Sequence, residues 1–279
     1  MIKITADSTC DLSPEILAEL DITLAPLYIN AGEDSFRDGV DITPADVFRH
    51  VETKKTMCST SAVNIFDYET LFGKFSPECG AVIHLCISTG FSTCYQNAVT
   101  AAAGFPNVYP IDTRNLSSGS GTLVMDAALM ARDGVSAEEI CRKLEEDIPK
   151  VDCSFVIDRM DYLHKGGRCS GMEALGAKLL SIKPCIEVFD GAMRVGKKYF
   201  GKFDKCLEQY VGERLADKDA IDPKRVFITH PMCSEETVEA VRAAIARHMA
   251  FDEVIETKAG CTVSSHCGPS TLGIIFKRL

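Results

Sequence analysis

No apolar run in the 279-residue chain reaches the length of about 18 residues that a membrane-spanning helix needs. There is no excess of basic residues either: Lys and Arg number 30 against 40 Asp and Glu, a net charge of −10. That balance excludes non-specific nucleic-acid binding and a surface that seeks anionic lipid headgroups. Despite 13 cysteines there is no C-x-x-C pair. Their number is odd, their spacing irregular, and Cys86 and Cys185 sit inside apolar runs. Neither a disulfide framework nor a paired zinc module follows from that pattern. The cysteines read as small hydrophobes in a reducing compartment. The first residues, MIKITADST, open on a strand-like run and a turn rather than a secretory leader, so a cytoplasmic location is expected. No internal repeat, low-complexity linker or complete nucleotide fingerprint is present. Gly171–Lys178 resembles a phosphate loop, but its lysine comes one position late and no Ser or Thr follows. It reads instead as a small-residue helix with a solvated lysine.

What the chain does have is 46% hydrophobic residues, ample for a core, and a regular alternation of elements. Ile2 to Thr5 and Ile22 to Ile29 read as strands, and Asn30 to Asp41 as a polar loop. Ser13-Pro14 and Thr43-Pro44-Ala45-Asp46 open helices, each with a hydroxyl cap and proline in the first turn. Up to about residue 150 strands and helices alternate, which predicts an α/β layer with a mostly parallel sheet. After that the rhythm changes. Asp161–Gly171 is basic and glycine-rich. Ile186 to Val195 alternates around Asp190-Gly191, a strong hairpin signal. The expectation is two domains: 1–150 as α/β, and 151–279 as α+β with an antiparallel sheet.

The stretch 81–103 organises the rest. Ala81 to Ile87 is nearly all apolar, as suits a strand buried on both faces. Ala98 to Ala103 favours helix. Between them Ser88-Thr89-Gly90-Phe91-Ser92-Thr93 packs four hydroxyls into six residues. Helix starts leave backbone N–H groups unpaired and partly positive, so such a turn suits a small anion such as a carboxylate or phosphate. The plainer alternative is that Ser88 or Ser92 only caps the helix. A second hydroxyl cluster, Ser59-Thr60-Ser61, also falls at a strand end, where ligands of parallel sheets collect. Arg168 and His266 could add cationic donors to the anion site.

Other chemistry is weaker. Ser92 on a strand-turn-helix, followed by Asp112 and then His230 or His266, has the chain order of an α/β-hydrolase triad. Cys94, however, stands where the nucleophile elbow needs glycine. Cys261, His266 and Cys267 lie close together but lack a second half-site for metal. His84, inside a buried strand, reads as a core histidine.

Several segments, in order, make the chain resemble the DegV family of bacterial lipid-binding proteins over essentially its whole length. They are Thr5 to Leu12 (TADSTCDL), Ser59-Thr60-Ser61, Ser88 to Ala98 (STGFSTCYQNA), Asp112-Thr113-Arg114 and Gly119-Ser120-Gly121. Tyr162 to Arg168 (YLHKGGR), Lys183-Pro184, His266-Cys267-Gly268-Pro269 and Leu272-Gly273 follow. The resemblance implies a two-domain fold with a long-chain fatty acid, such as palmitate, buried between the domains. It implies a non-catalytic role as the fatty-acid-binding subunit of a bacterial fatty acid kinase, whose separate ATP-using subunit phosphorylates the carboxylate. It makes Thr60 and Ser92 the carboxylate ligands, with Ser59, Ser61, Ser88 and Gly90 beside them and Arg168 and His266 in the surrounding network. No cofactor and no metal is implied. The chain departs from the family at Ala62 and Val63, where glutamine and proline are usual, at Thr93, where a small residue is common, and at Cys267. The competing function is a serine acyl hydrolase using Ser92. A self-sufficient kinase would need the phosphate loop that is missing.

Overall fold

The computed structural model describes residues 1–170 and 182–279, and the Gly171–Lys178 segment lies outside the described residues. The first sheet has four strands, all parallel, in the order Thr23–Ala25, Ile2–Asp7, Ala81–Cys86, Val108–Asp112. Every residue of Ala81–Cys86 is buried. Its alternate side chains feed different cores: Val82 and Cys86 pack with Tyr68, Phe72 and Ala98, whereas Ile83 and Leu85 pack with Leu123, Val124 and Ile140. A strand covered on both faces must be apolar throughout, which is why this run shows no alternation. The helices Ile65–Phe75 and Cys94–Ala102 cover one face, and Ser118–Arg132 with Ala137–Asp147 the other.

The second sheet has seven strands, ordered Glu253–Lys258, Ile221–His230, Thr271–Arg278, Val151–Ile157, Ile182–Phe189, Ala192–Phe200, Cys169–Ser170. It is antiparallel through its centre, but the outermost pair at each edge is parallel, so the expected antiparallel sheet is in fact mixed. Helices Phe203–Arg214 and Glu235–His248 pack on one face. The other face joins the cores of the first half: Phe155, Ile157, Ile186 and Met193 meet Leu27, Cys86 and Leu116. Cys153, Phe227 and Ile275 likewise meet Ile4 and Leu123. The two sheets are thus held by shared apolar cores as well as by the chain.

Local chemistry explains most boundaries. Thr43 and Asp46 form a reciprocal capping box, and Ser13 caps the helix Pro14–Glu19. Asp190 and Gly191 both have positive φ (47° and 77°), the two-residue turn that matches strand twist. Elsewhere the sequence misled. Pro26 has no N–H for a ladder, so the expected strand Ile22 to Ile29 breaks there. Thr23–Ala25 stays in the first sheet, while Tyr28–Ala31 begins a separate three-stranded sheet. The expected loop after it is half strand: Asp34–Arg37 pairs back across Gly32-Glu33, with Gly32 at φ 72°. Ser59–Ser61 pairs with the other edge of Tyr28–Ala31. The glycine-rich segment begins as a helix, Met160–Gly166, closed by Gly167 at φ 64°.

The Asp190-Gly191 tip docks on the turn after Ala81–Cys86. Ser88 Oγ donates to the Gly191 carbonyl at 2.7 Å, and Arg114 Nη1 pairs with Asp190 at 3.1 Å. An added Cβ on Gly90 would collide with that same carbonyl oxygen. Gly90→Ala is therefore expected to push the tip away and lower stability by about 1–3 kcal/mol, as overpacking does. A urea midpoint equal to that of the wild type would mean that the tip is not docked in solution.

Candidate functional site

The loops that close the first sheet, the three-stranded sheet and one short helix of the second half surround a cavity of about 420 Å³. That volume lies in the range of small-molecule sites, about 300–1,000 Å³. Its apolar wall is Leu27, Ala62, Ile87, Phe91, Leu116, Met193 and Val263. Its polar wall is Thr60, Ser61, Thr89, Ser92, Thr93 and Gln96, with Arg168 and His266. No Asp or Glu lines it among the described residues. A separate cavity of about 30 Å³ lies beside it, sharing Leu116, Val263 and Cys267; Phe155, Ala259 and Ile275 line it together with Ser117, Thr229, His230 and Thr271.

The helix Cys261–Cys267 supplies the key histidine. Nothing in the sequence analysis placed a helix here. The segment's useful signal is a pair of flanking glycines, Gly260 and Gly268. Two carboxylates from the first half of the chain fix its N-terminus. Asp11 accepts the N–H of Gly260 at 2.8 Å; Asp38 accepts those of Cys261 at 2.8 Å and Thr262 at 3.2 Å. The helix then presents Thr262, Val263, His266 and Cys267 to the cavity.

His266 Nε2 lies 2.8 Å from Thr60 Oγ1, joining residues 206 apart in sequence. Burial, with Arg168 nearby, pushes the imidazole down to about 4. The ring is therefore neutral near pH 7 and carries one N–H. His266 Nδ1 is buried against Gly166 and has no partner among the described residues. A proton on Nδ1 would be an orphaned buried N–H; a lone pair there costs less. The proton thus belongs on Nε2, donating to Thr60 Oγ1. That leaves the Thr60 hydroxyl proton free to donate into the cavity.

The structure brings Thr60, Ser61, Gly90, Ser92, Arg168 and His266 together on one cavity and leaves two candidates out. Ser59 is exposed and lines no part of it. Ser88 is buried behind the turn, accepting the Gly90 N–H at 3.1 Å and donating to Gly191. It holds the turn and the hairpin tip rather than facing the cavity. Ser92 Oγ accepts the Cys94 N–H at 3.3 Å and donates to Cys94 Sγ at 3.1 Å. The N-cap of the helix Cys94–Ala102 is Thr93, with no side-chain cap bond, so its first turn abuts the cavity. Ser61 accepts from Asn30 Nδ2 at 2.9 Å. Arg168 is exposed and donates to the Gly166 carbonyl at 2.9 Å, which places it at the rim. The walls Leu27, Leu116, Met193 and Val263 escaped the sequence because nothing distinguishes them from other core positions.

A hydrolase triad is not assembled. Asp112 accepts from Thr89 Oγ1 at 2.8 Å and from the Arg114 N–H, so it braces the turn. His230 is engaged by Glu256, Lys258 and the Cys233 N–H. His266 binds Thr60, and among the described residues no histidine or carboxylate is bonded to Ser92. The metal candidate from the sequence also dissolves: Cys261 Sγ donates to the Ile42 carbonyl. Asp7, His84 and Cys86 bring ligand atoms within 4.8 Å of one another. The Asp7 carboxylate, however, is already bonded to Tyr68, His84 and the Ile87 N–H. His84 turns its other nitrogen to Thr5, and burial pushes the Cys86 thiol far up. These bonds tie Asp7 and His84 into the core.

The family model described as "Uncharacterised protein, DegV family" matches residues 1–278. A DegV domain-containing protein of Clostridium acetobutylicum is 30% identical over 277 residues, 99% of this chain and 98% of its own length. A solved structure titled for fatty acid binding of a DegV family protein from Thermus thermophilus superposes with a TM-score of 0.93 at 28% identity. The match covers 100% of this chain and 99% of that one. A stearic acid-binding protein from Eubacterium ventriosum superposes with a TM-score of 0.84 at 27% identity, covering 100% and 98%.

The lowered affinity of His266 for protons has a measurable consequence. Between its ordinary value of 6.5 and about 4, the unfolded chain binds a proton that the folded one refuses. The stabilising contribution of the neutral ring is whole above about pH 6.5 and is lost as pH falls towards 4. Nitrogen chemical shifts of the His266 ring should show Nε2–H at pH 6 and a midpoint near 4. A midpoint near 6.5 would contradict the burial argument.

Proposed function

The chain belongs to the DegV family, and on that premise we propose that it binds a long-chain fatty acid, such as palmitate, and presents the carboxylate at the rim of the cavity. Thr60 and Ser92 are the hydroxyls that meet the carboxylate, with Ser61 and the Gly90 turn beside them. His266 orients Thr60, and Arg168 stands at the opening. Residues 1–150 form the domain that carries Thr60, Ser61, Gly90 and Ser92, and residues 151–279, with Arg168 and His266, the domain that closes on the chain. The tail lies along Leu27, Leu116, Met193 and Val263 and on towards Phe155 and Ile275. The role is non-catalytic and cytoplasmic: a separate kinase subunit, holding ATP, phosphorylates the carboxylate that this chain offers.

The observation that supports this reading is a polar wall of hydroxyls with no acid among the described residues, set against an apolar wall with a second small cavity beside it. Each buried CH₂ is worth about 0.8 kcal/mol, so a long tail dominates the affinity. The headgroup must still be met by fixed donors, because a buried unpaired charge is very costly. The relatives named for fatty acid binding agree with that chemistry. No helix among the described residues is long and apolar enough to cross a membrane.

Native mass spectrometry of the purified protein, followed by denaturing extraction and lipid identification, tests the proposal. About one fatty acid per chain is expected. The Thr60→Ala/Ser92→Ala double variant should bind about tenfold or more weakly, since bonds to a charged group contribute about 1.5–3 kcal/mol each. A protein that stays empty when offered fatty acids would overturn the reading. Ester turnover that disappears in Ser92→Ala would establish the hydrolase instead.

A further inference from the structure

The helices Met160–Gly166 and Cys261–Cys267 pack together, and each closes on a glycine that faces a ring of the other. A Cβ on Gly268 would sit 2.8 Å from the Tyr162 ring, and a Cβ on Gly166 only 2.4 Å from His266 Nδ1 and 3.3 Å from its Cγ. Backbone conformation accounts for Gly167 and Gly268, which have positive φ (64° and 80°), but Gly166 has no such need. An ordinary helical position favours alanine over glycine. The space that Gly166 leaves empty is the space that the imidazole takes.

On its other side the ring meets Thr60, with Nε2 2.8 Å from Oγ1, so the imidazole is held between that hydroxyl and Gly166. The Gly166 hydrogen that a side chain would replace points at Nδ1. A proton on Nδ1 would run into it, which agrees with Nε2 as the protonated nitrogen. The Gly166 carbonyl also accepts from Arg168 Nη1 at 2.9 Å. One residue that does not line the cavity thus touches both His266 and Arg168, which do. If a Cβ is added, something must move. The helix Met160–Gly166 is anchored by Tyr162 and Leu163, both fully buried, and Tyr162 rests on Gly268. The imidazole turns about two side-chain bonds, so it is the ring that yields, and in yielding it leaves Thr60.

We propose that Gly166 is a positioning residue of the headgroup site, its missing side chain forming the seat that keeps His266 on Thr60. The inference rests on the fatty-acid reading and refines it. Delipidated wild-type protein, Gly166→Ala, Thr60→Ala and the double variant are titrated with palmitate and with hexadecanol, which has a tail of the same length and no carboxylate. Gly166→Ala should bind palmitate about tenfold more weakly, the lower end of what a bond to a charged group is worth, and hexadecanol within about twofold of the wild type. In the Thr60→Ala background it should cost little more, because the two residues act through one contact. The released His266 ring should titrate nearer 6.5 than 4. Equal losses for both ligands, or a loss that adds in full to that of Thr60→Ala, would make Gly166 a packing residue only. An unchanged palmitate affinity would mean that the ring is not seated there. Each of these results overturns the proposal. Should Gly166→Ala fail to fold, the seat is read in the wild type as magnetisation transfer between a Gly166 Hα and the His266 Hε1 proton, and its absence overturns the proposal equally. A wild type that binds neither compound would overturn the fatty-acid reading itself.

Discussion

Two carboxylates hold the site together. Asp11 and Asp38 belong to the first half of the chain, yet they accept three successive N–H groups at the start of the helix Cys261–Cys267. The helix is only seven residues long, too short to persist alone in water. Its register against Ser59–Ser61, and so the meeting of His266 with Thr60, depends on this external cap. Ser117 donates to Asp11 and Ser8 to Asp38, so both acids are themselves oriented. Burial nevertheless pushes the Asp11 carboxyl up to about 7. The arrangement places both buried acids at the far end of the helix and keeps them off the polar wall.

That separation shapes the chemistry of the cavity. A wall of hydroxyls and a neutral imidazole solvates a carboxylate without forming a tight ion pair. A strong bidentate partner would hold a carboxylate more firmly, as charge-assisted bonds do. Among the described residues, the one cationic side chain on the wall, Arg168, is exposed at the rim and bonded to a carbonyl. The Ser88 turn shows the same economy: its deepest hydroxyl ties the hairpin tip down, and its outer residues are left to face the cavity.

How much of this the sequence disclosed follows the range of the forces. The alternation of strands and helices, the caps at Ser13 and Thr43 and the Asp190-Gly191 turn arise from interactions within a few residues, and they were legible. The break at Pro26 was written in the sequence too, but the apolar content on both sides masked it. The hairpin Tyr28–Arg37 depended on a Gly-Glu turn between strands of mixed polarity, a weak signal. Thr60 and Ser92 stood out as members of hydroxyl clusters, although Thr60 lies within a short antiparallel strand rather than at the end of a parallel one. His266 stood out as a possible donor to the anion site, but its bond to Thr60, across 206 residues, was not legible. Ser88 looked like its neighbours, and only the docked Gly191 carbonyl separates its task from that of Ser92.

The placement of the cavity between two sheets has a final consequence. Leu116, Val263 and Cys267 line both the larger cavity and the smaller one beside it, and Val263 and Cys267 lie on the helix that Asp11 and Asp38 hold. Phe155 and Ile275 come from the opposite sheet and sit in cores that join the two halves. An apolar chain threaded there would add to those cores and would bind in proportion to the surface it buries. Under the proposed function, affinity and headgroup recognition would fall to different parts of the molecule: an acyl tail would supply most of the binding free energy, and the rim would meet the carboxylate.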